Sequence, residues 1–314
     1  MRILHVDDAA AVSCILAKYQ QHIQGHNSKV IKYDRYDKFG FYKFYKDYVT
    51  IAASDEQFLK HIIEDAKSAD IVHIHTRADM VIKLRNKFGK SKKIILHYHG
   101  TDIRGLNKQK LPHRSRVSDI AISLILKYRK IRNILLLKKR IHYKAQNLAN
   151  AVIVSTPDLL NYASTKNDAV RKLYLPNPID LDVFKPDAIM SSTINDDIKK
   201  NAVTMDNEVT DIPWALEYLE KNNINLDITV HDRMKHPLMY QDLPNFLKQY
   251  KTYVDIRYVN KKIIPALSKT ALEALACGLD VLDYRLKFRN GLPKEHCPSS
   301  VIPSLSKVYD ELKI

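Results

Sequence analysis

Hydrophobic positions along the first half of the chain alternate between short solid runs and helically spaced stripes. Arg2–Val6 is a compact apolar run that predicts a strand buried on both faces. A helical pattern follows over Ala9–His22, and Lys29–Tyr33 and Val49–Ala53 predict further short strands. Phe58, Leu59, Ile62 and Ile63 fall on one face of a helix over Glu56–Lys67. Asp70–His75 and Lys92–Tyr98 predict strands, a long helical stretch comes next, and Ala151–Ser155 predicts another strand. Strands alternating with helices predict parallel pairing through right-handed crossovers. Leu175-Pro176-Asn177-Pro178-Ile179-Asp180 breaks the pattern, because two prolines around Asn preclude a regular element.

From about Asn201 the alternation resumes. Strands are expected over Ala202–Met205, Leu226–Val230, Tyr253–Tyr258 and Val281–Tyr284. Helices are expected over Ile212–Lys221, Leu243–Tyr250, Thr270–Ala276 and Val301–Leu312. The pattern thus predicts two α/β domains, 1–180 and 181–314, with ligands held at the carboxyl ends of the strands, where helix N-termini offer free N–H groups.

Composition narrows the class. The 314 residues, 45% hydrophobic and 27% charged, have the balance of a globular protein. No apolar run approaches the roughly 18 residues of a spanning helix. Met1-Arg2-Ile3-Leu4-His5-Val6-Asp7-Asp8 reads as a core strand rather than a signal peptide, so a cytoplasmic location is expected. Cys14, Cys277 and Cys297 show no paired spacing, which argues against a zinc site or disulfide framework.

Charge adds a partner. The formal net charge is +16, from 51 Lys and Arg against 35 Asp and Glu. Between Arg104 and Lys144 there are 13 basic residues against the single acid Asp119, which leaves +12 in that segment. Such a concentrated field attracts a polyanion. Within 118–148 the apolar residues follow helical spacing, with Lys127, Arg129, Lys130, Arg132, Lys138, Lys139 and Arg140 among and around them. This is the pattern of a basic amphipathic helix suited to an anionic membrane surface. Nucleic acid is the rival polyanion, with Tyr128 and Tyr143 interleaved as stacking platforms. No nucleic-acid-binding module is visible, so nucleic acid is not the expected partner.

Candidate chemistry centres on Ser268-Lys269-Thr270-Ala271-Leu272-Glu273-Ala274-Leu275-Ala276-Cys277-Gly278. Ser268 is a good N-cap, Gly278 a C-terminal stop, and the helix start combines free N–H groups with a cation and hydroxyls, which suits a diphosphate. Glu273, one turn in, is placed to accept from ribose hydroxyls. His73, His75, His97 and His99 alternate on two strands. A metal site built on them ranks below a sugar-site reading, because no carboxylate motif accompanies them.

With these segments in order, the chain resembles the retaining GT-B glycosyltransferases of the family-4 kind, in their short archaeal-looking form. The Ser268–Gly278 segment looks like the donor-nucleotide segment of that family. Asp70–His75 looks like the strand before the acceptor side of the cleft, and His97-Tyr98-His99-Gly100-Thr101-Asp102-Ile103-Arg104-Gly105 like its His-Gly-x-Asp-x-Arg-Gly loop. Leu175–Asp180, followed by Phe184-Lys185-Pro186, looks like the interdomain segment. The resemblance implies two Rossmann-like domains facing across a cleft, with the last helix returning to the first domain. It implies transfer of a hexose-type sugar from a nucleotide diphosphate sugar to a hydroxyl acceptor, with retention and without a metal cofactor. His99 and Asp102 would then be catalytic, with His99 against the donor sugar. Arg104 would shape the acceptor side, and Ser268, Lys269, Thr270 and Glu273 would hold the nucleotide. The expected acceptor is a glycan or lipid-linked molecule at the inner face of a membrane.

Three departures from the family pattern stand out. Pro265 occupies the position of a sugar-binding Glu, and Asp8-Ala9-Ala10-Ala11 replaces a glycine-rich turn. The cationic pair expected after Ala202–Met205 is replaced by Asp206, Asn207, Glu208 and Asp211, with Arg233 or Lys235 as substitutes. These departures keep alternatives open: a non-catalytic GT-B protein, a basic RNA-binding protein, or a sugar-nucleotide epimerase of the same fold.

Overall fold

The computed structural model describes residues 1–33, 37–104, 138–186, 200–206, 211–233, 235–259 and 262–313. Seven strands form the first sheet: β1 (Arg2–Val6), β2 (Asn27–Tyr33), β3 (Val49–Ala52), β4 (Ile71–His75), β5 (Lys93–Tyr98), β6 (Ala151–Val154) and β7 (Arg171–Tyr174). Their order is β3-β2-β1-β4-β5-β6-β7, and every neighbouring pair is parallel. The chain therefore reverses its direction of travel across the sheet between β1 and β4, which opens a crevice at their carboxyl ends.

The second sheet has the order β14-β13-β10-β8-β9, built from β8 (Lys200–Asp206), β9 (Ile228–Asp232), β10 (Tyr250–Val254), β13 (Asp280–Leu282) and β14 (Phe288–Arg289). All its pairs are parallel except β13 with β14. Here the reversal lies between β8 and β10. A separate antiparallel pair joins β11 (Tyr258–Val259) to β12 (Lys262–Ile263).

Side-chain alternation on the first sheet sorts its residues into two packed layers. Leu4, Val6, Val72, Ile74, Leu96 and Tyr98 face a layer that includes Phe58, Ile62, Met80, Leu84 and Ala145. Ile3, Ile71, Ile95 and Ile153 face Val12 and Leu16 of helix α1 (Val12–Gln24), together with Val301, Ile302, Leu305, Val308 and Tyr309 of the closing helix Pro298–Lys313. The last helix in sequence thus packs on the first sheet. A further core joins the two sheets: Ala11, Cys14, Ile15, Val30 and Tyr45 pack in one cluster with Ile179, Phe184, Val203, Tyr240, Leu272 and Leu275.

Local chemistry explains several boundaries. Ser54 caps the helix Asp55–Ser68 by accepting from Gln57 N at 3.1 Å, while the Gln57 side chain accepts from Ala53 N at 2.7 Å, a reciprocal cap. Helix α1 starts at Val12 rather than Ala9, because Ala10 and Ala11 take left-handed φ values of 52° and 64°. The alanines therefore hold a turn conformation that glycine adopts more easily. The closing helix begins at Pro298, whose missing N–H costs nothing in a first turn. β7 escaped the sequence pattern because, as an edge strand, it is only partly buried and carries no apolar run.

Candidate functional site

A small cleft lies where the second sheet reverses. Thr204, Met205, Tyr253, Val254, Asp255, Ile256, Arg257 and Arg233 line it from the strand ends, and Ser268 and Thr270 from the start of the Lys269–Ala276 helix. Ser268 caps that helix by accepting from Ala271 N at 3.0 Å. Its own N–H donates to Asp255 Oδ2 at 2.7 Å, which anchors the helix start to the sheet. The first-turn amides of Lys269 and Thr270 are reached by no carbonyl of the helix itself.

Two guanidinium groups enter the same cleft. Arg233 lies 4.5 Å over the Phe39 ring, and its buried Nε has no hydrogen-bond partner. Arg257 pairs with Asp255 at 3.3 Å and donates to the Ala266 carbonyl. Arg233, expected as a substitute cation, is therefore placed beside Ser268 and Thr270, whereas Lys235 is exposed and 3.8 Å from Asp232. Arg257 and Asp255 were missed by sequence reasoning. Their signal was their position just beyond the last residue of β10, which the hydrophobic pattern placed further along the chain.

Lys269 and Glu273 point elsewhere. They form an ion pair with each other, with side chains 11% and 4% exposed, and the ammonium lies 5.4 Å from the Tyr240 ring. The Tyr240 hydroxyl meets the Tyr45 hydroxyl at 2.9 Å, and Tyr45 donates to Asp180 Oδ2 at 2.7 Å. Asp180, fully buried, also receives Lys18 Nζ at 2.8 Å and the Tyr19 hydroxyl at 2.9 Å. Burial would lower the Lys18 pKa, but Asp180 and Asp182 outweigh it and hold the ammonium above its ordinary value. Burial, with Tyr240 and Asp180 adding to it, pushes the Tyr45 phenol well up. The Pro-Asn-Pro segment is thus pinned by its Asp to α1 and to the junction of the two sheets.

His99, at the end of β5, belongs to a tightly tied loop. The Asp102 carboxylate accepts from the backbone N–H groups of His99, Gly100 and Ile103 at 2.7–3.2 Å. Arg104 reaches Asp158 with two guanidinium nitrogens at 2.7–2.9 Å and Thr156 Oγ1 at 2.9 Å. Asp102, expected to be catalytic, and Arg104, expected on the acceptor side, both tie down the loop that carries His99.

Beneath that loop lies an array that the sequence showed only in part. His5, His73, His75 and His97 are fully buried on the sheet face covered by α1 and the closing helix, and half-buried His99 continues the row. Burial lowers the pKa of all five, His5 to about 4. The ring nitrogens of His5, His73 and His75, and those of His75, His97 and His99, come within 4.8 Å of one another.

In the basic segment, Lys127, Arg129, Lys130 and Arg132 lie outside the described residues. Lys138, Lys139 and Arg140 open the helix Lys138–Leu148, where Lys139 and Arg140 are exposed and Ala145 is buried against the first sheet. Among the described residues no helix is long and apolar enough to cross a membrane.

No protein-family model matches the chain, and no curated protein does. Its architecture is nevertheless shared by solved structures. Anabaena HepE in complex with UDP superposes with a TM-score of 0.50 at 11% identity, covering 100% of this chain and 92% of that one. Sucrose-phosphate synthase from Thermosynechococcus elongatus gives a TM-score of 0.50 at 11% identity, covering 99% and 90%. An alpha-glucosyltransferase in complex with UDP-glucose and DNA containing an abasic site gives 0.50 at 14% identity, covering 100% and 90%. The fold is GT-B: two Rossmann-like α/β units, each with its crevice at the carboxyl ends of its strands.

Proposed function

We propose that this chain is a glycosyltransferase that moves a hexose-type sugar from a nucleotide diphosphate sugar to a hydroxyl acceptor. The observation that carries this reading is the cleft of the second sheet, which Arg233, with its buried Nε unpartnered, lines together with Ser268, Thr270 and the start of a capped helix. A diphosphate brings the two negative charges and the acceptor oxygens that this set of donors lacks. As the sugar bond breaks, charge grows on the leaving diphosphate, so donors fixed in advance lower the barrier more than they favour the resting substrate. Arg233 and Arg257 supply positive charge there, so the reaction on this reading needs no metal. Solved structures of like fold hold UDP or UDP-glucose, which supports a nucleotide-sugar donor.

Retention at the anomeric carbon is part of the proposal, with His99 against the donor sugar. The exposed Lys139 and Arg140, and the basic residues preceding them in sequence, suit a membrane surface carrying a lipid-linked or membrane-proximal glycan acceptor. The test is release of nucleoside diphosphate from a panel of sugar nucleotides in the presence of anionic liposomes bearing polyprenyl-linked glycan acceptors. Turnover with one donor, lost in Arg233→Ala, is expected; wild-type rates in that variant would refute the assignment of the cleft.

The Lys269–Glu273 pair favours one second reading. With Glu273 engaged by its neighbour in the sealed junction, the chain could bind a sugar nucleotide without transferring it. Tight donor binding with no product on any acceptor would distinguish that case.

A further inference from the structure

The buried histidines form two hydrogen-bond relays with one origin, Gln20 of α1. Its carbonyl Oε1 accepts from His5 Nε2 at 2.9 Å and from Ser28 Oγ at 2.7 Å. Its amide Nε2 donates to the Tyr309 hydroxyl at 3.1 Å. From His5 the first relay runs through Nδ1 to His75 Nε2 at 3.0 Å, then from His75 Nδ1 to His99 Nε2 at 2.9 Å. From Tyr309 the second relay runs to His73 Nδ1 at 2.8 Å, then from His73 Nε2 to His97 Nδ1 at 3.2 Å.

With the Gln20 amide placing Oε1 toward His5 and Nε2 toward Tyr309, donor rules set the direction of both. Desolvation keeps each imidazole neutral, so each ring carries one N–H and one lone pair. A carbonyl oxygen only accepts, so His5 carries its proton on Nε2 and accepts at Nδ1. His75 must then donate from Nε2 and accept at Nδ1, and His99 must donate from Nε2. In the other branch the Tyr309 oxygen accepts from Gln20, so its O–H donates to His73 Nδ1. His73 then donates from Nε2 to His97 Nδ1, which leaves the His97 proton on Nε2. Of the two remaining nitrogens, His97 Nε2 is buried without a partner, and His99 Nδ1 is buried facing the Asn177 side chain.

We propose that Gln20 is a positioning residue whose amide holds all five histidines as Nε2–H tautomers, so that His99 presents an acceptor at Nδ1 to the Asn177 side chain and His97 a bare donor at Nε2. The Asn177 side chain lies within hydrogen-bonding reach of His99, and its carbonyl oxygen is buried with no other partner. The same nitrogens are spaced closely enough to interest a metal, but each hydrogen-bonded junction assigns the lone pair to a proton rather than to an ion.

The experiment is ¹⁵N NMR of the ligand-free full chain labelled at histidine, at pH 7.5, where two- and three-bond couplings report which ring nitrogen is protonated. All five buried rings are expected as Nε2–H. Gln20→Glu removes the donor to Tyr309 but keeps the acceptor for His5. It should therefore switch His73 and His97 to Nδ1–H while leaving His5, His75 and His99 unchanged. Tyr309→Phe, a second variant in case the first does not fold, should perturb only His73 and His97. Any of the five found as Nδ1–H in the wild type, a change at His99 in Tyr309→Phe, or stoichiometric displacement of the ring protons by Zn²⁺ would overturn the proposal. Because no substrate is used, none of these outcomes depends on transferase activity.

Discussion

Lowering the pH from 7 toward 5 should destabilise the first sheet through its buried histidines. In the unfolded chain an imidazole takes up a proton near pH 6.5. In the folded chain burial holds His5 down to about 4 and lowers His73, His75, His97 and His99 as well. The unfolded state then binds more protons than the folded one, so stability is flat above about pH 7 and falls as pH drops through 6.5. For His5 alone the interval between 6.5 and about 4 corresponds to roughly 3 kcal/mol. Five such rings set an upper limit of about 7 kcal/mol per pH unit, against a total stability on the order of 5–15 kcal/mol. Asp8 and Asp102 oppose part of the loss by favouring the charged forms of His5 and His99, respectively. Urea unfolding at pH 7.5, 6.5, 6.0 and 5.5 should show a falling midpoint at constant slope. The interval above pH 5.5 keeps carboxylate protonation out of the measurement. Stability that stays level from pH 7.5 to 5.5 would refute the reasoning.

Substitutions at three positions probe the rest of the framework. Asp180→Ala leaves Lys18, Tyr19 and Tyr45 facing a vacated buried site and should cost about 3–5 kcal/mol in urea unfolding, with Asp180→Asn less damaging. Gly100→Ala would put a methyl 2.8 Å from the Arg104 guanidinium at a φ of 137°; a loss of about 1–3 kcal/mol is expected, and wild-type stability would contradict the loop geometry. Ala10→Gly, at an exposed position with φ 52°, should be neutral to stabilising by up to about 1 kcal/mol, seen as a raised thermal midpoint.

Much of the architecture was legible because buried parallel strands are nearly solid apolar runs. Arg2–Val6 and Ala151–Val154 emerge almost residue for residue from that signal. Elements held by tertiary contacts were not legible. β10 begins at Tyr250, inside an expected helix, because buried Tyr250 pairs with Lys200 of β8. At the site, the alternation of His73 with His75 and of His97 with His99 was visible. The partners that give those rings a direction, His5, Gln20 and Tyr309, were not, since they come from three separate parts of the chain. Lys269 and Glu273 illustrate the converse. Their spacing suits a nucleotide, yet four residues apart on one helix they also suit each other, and in the structure they pair.

The central claim is that a sugar nucleotide sits in the cleft of the second sheet, on Arg233, Ser268 and Thr270. Its most direct test is calorimetric titration of UDP, GDP, ADP and their common sugar conjugates into the wild type and Arg233→Ala. Binding of one nucleotide series is expected, weakened in the variant by about 1.5–3 kcal/mol, the worth of a charge-assisted hydrogen bond, or roughly 10- to 150-fold. Equal affinity in both proteins, or no binding of any nucleotide at millimolar concentration, would contradict it.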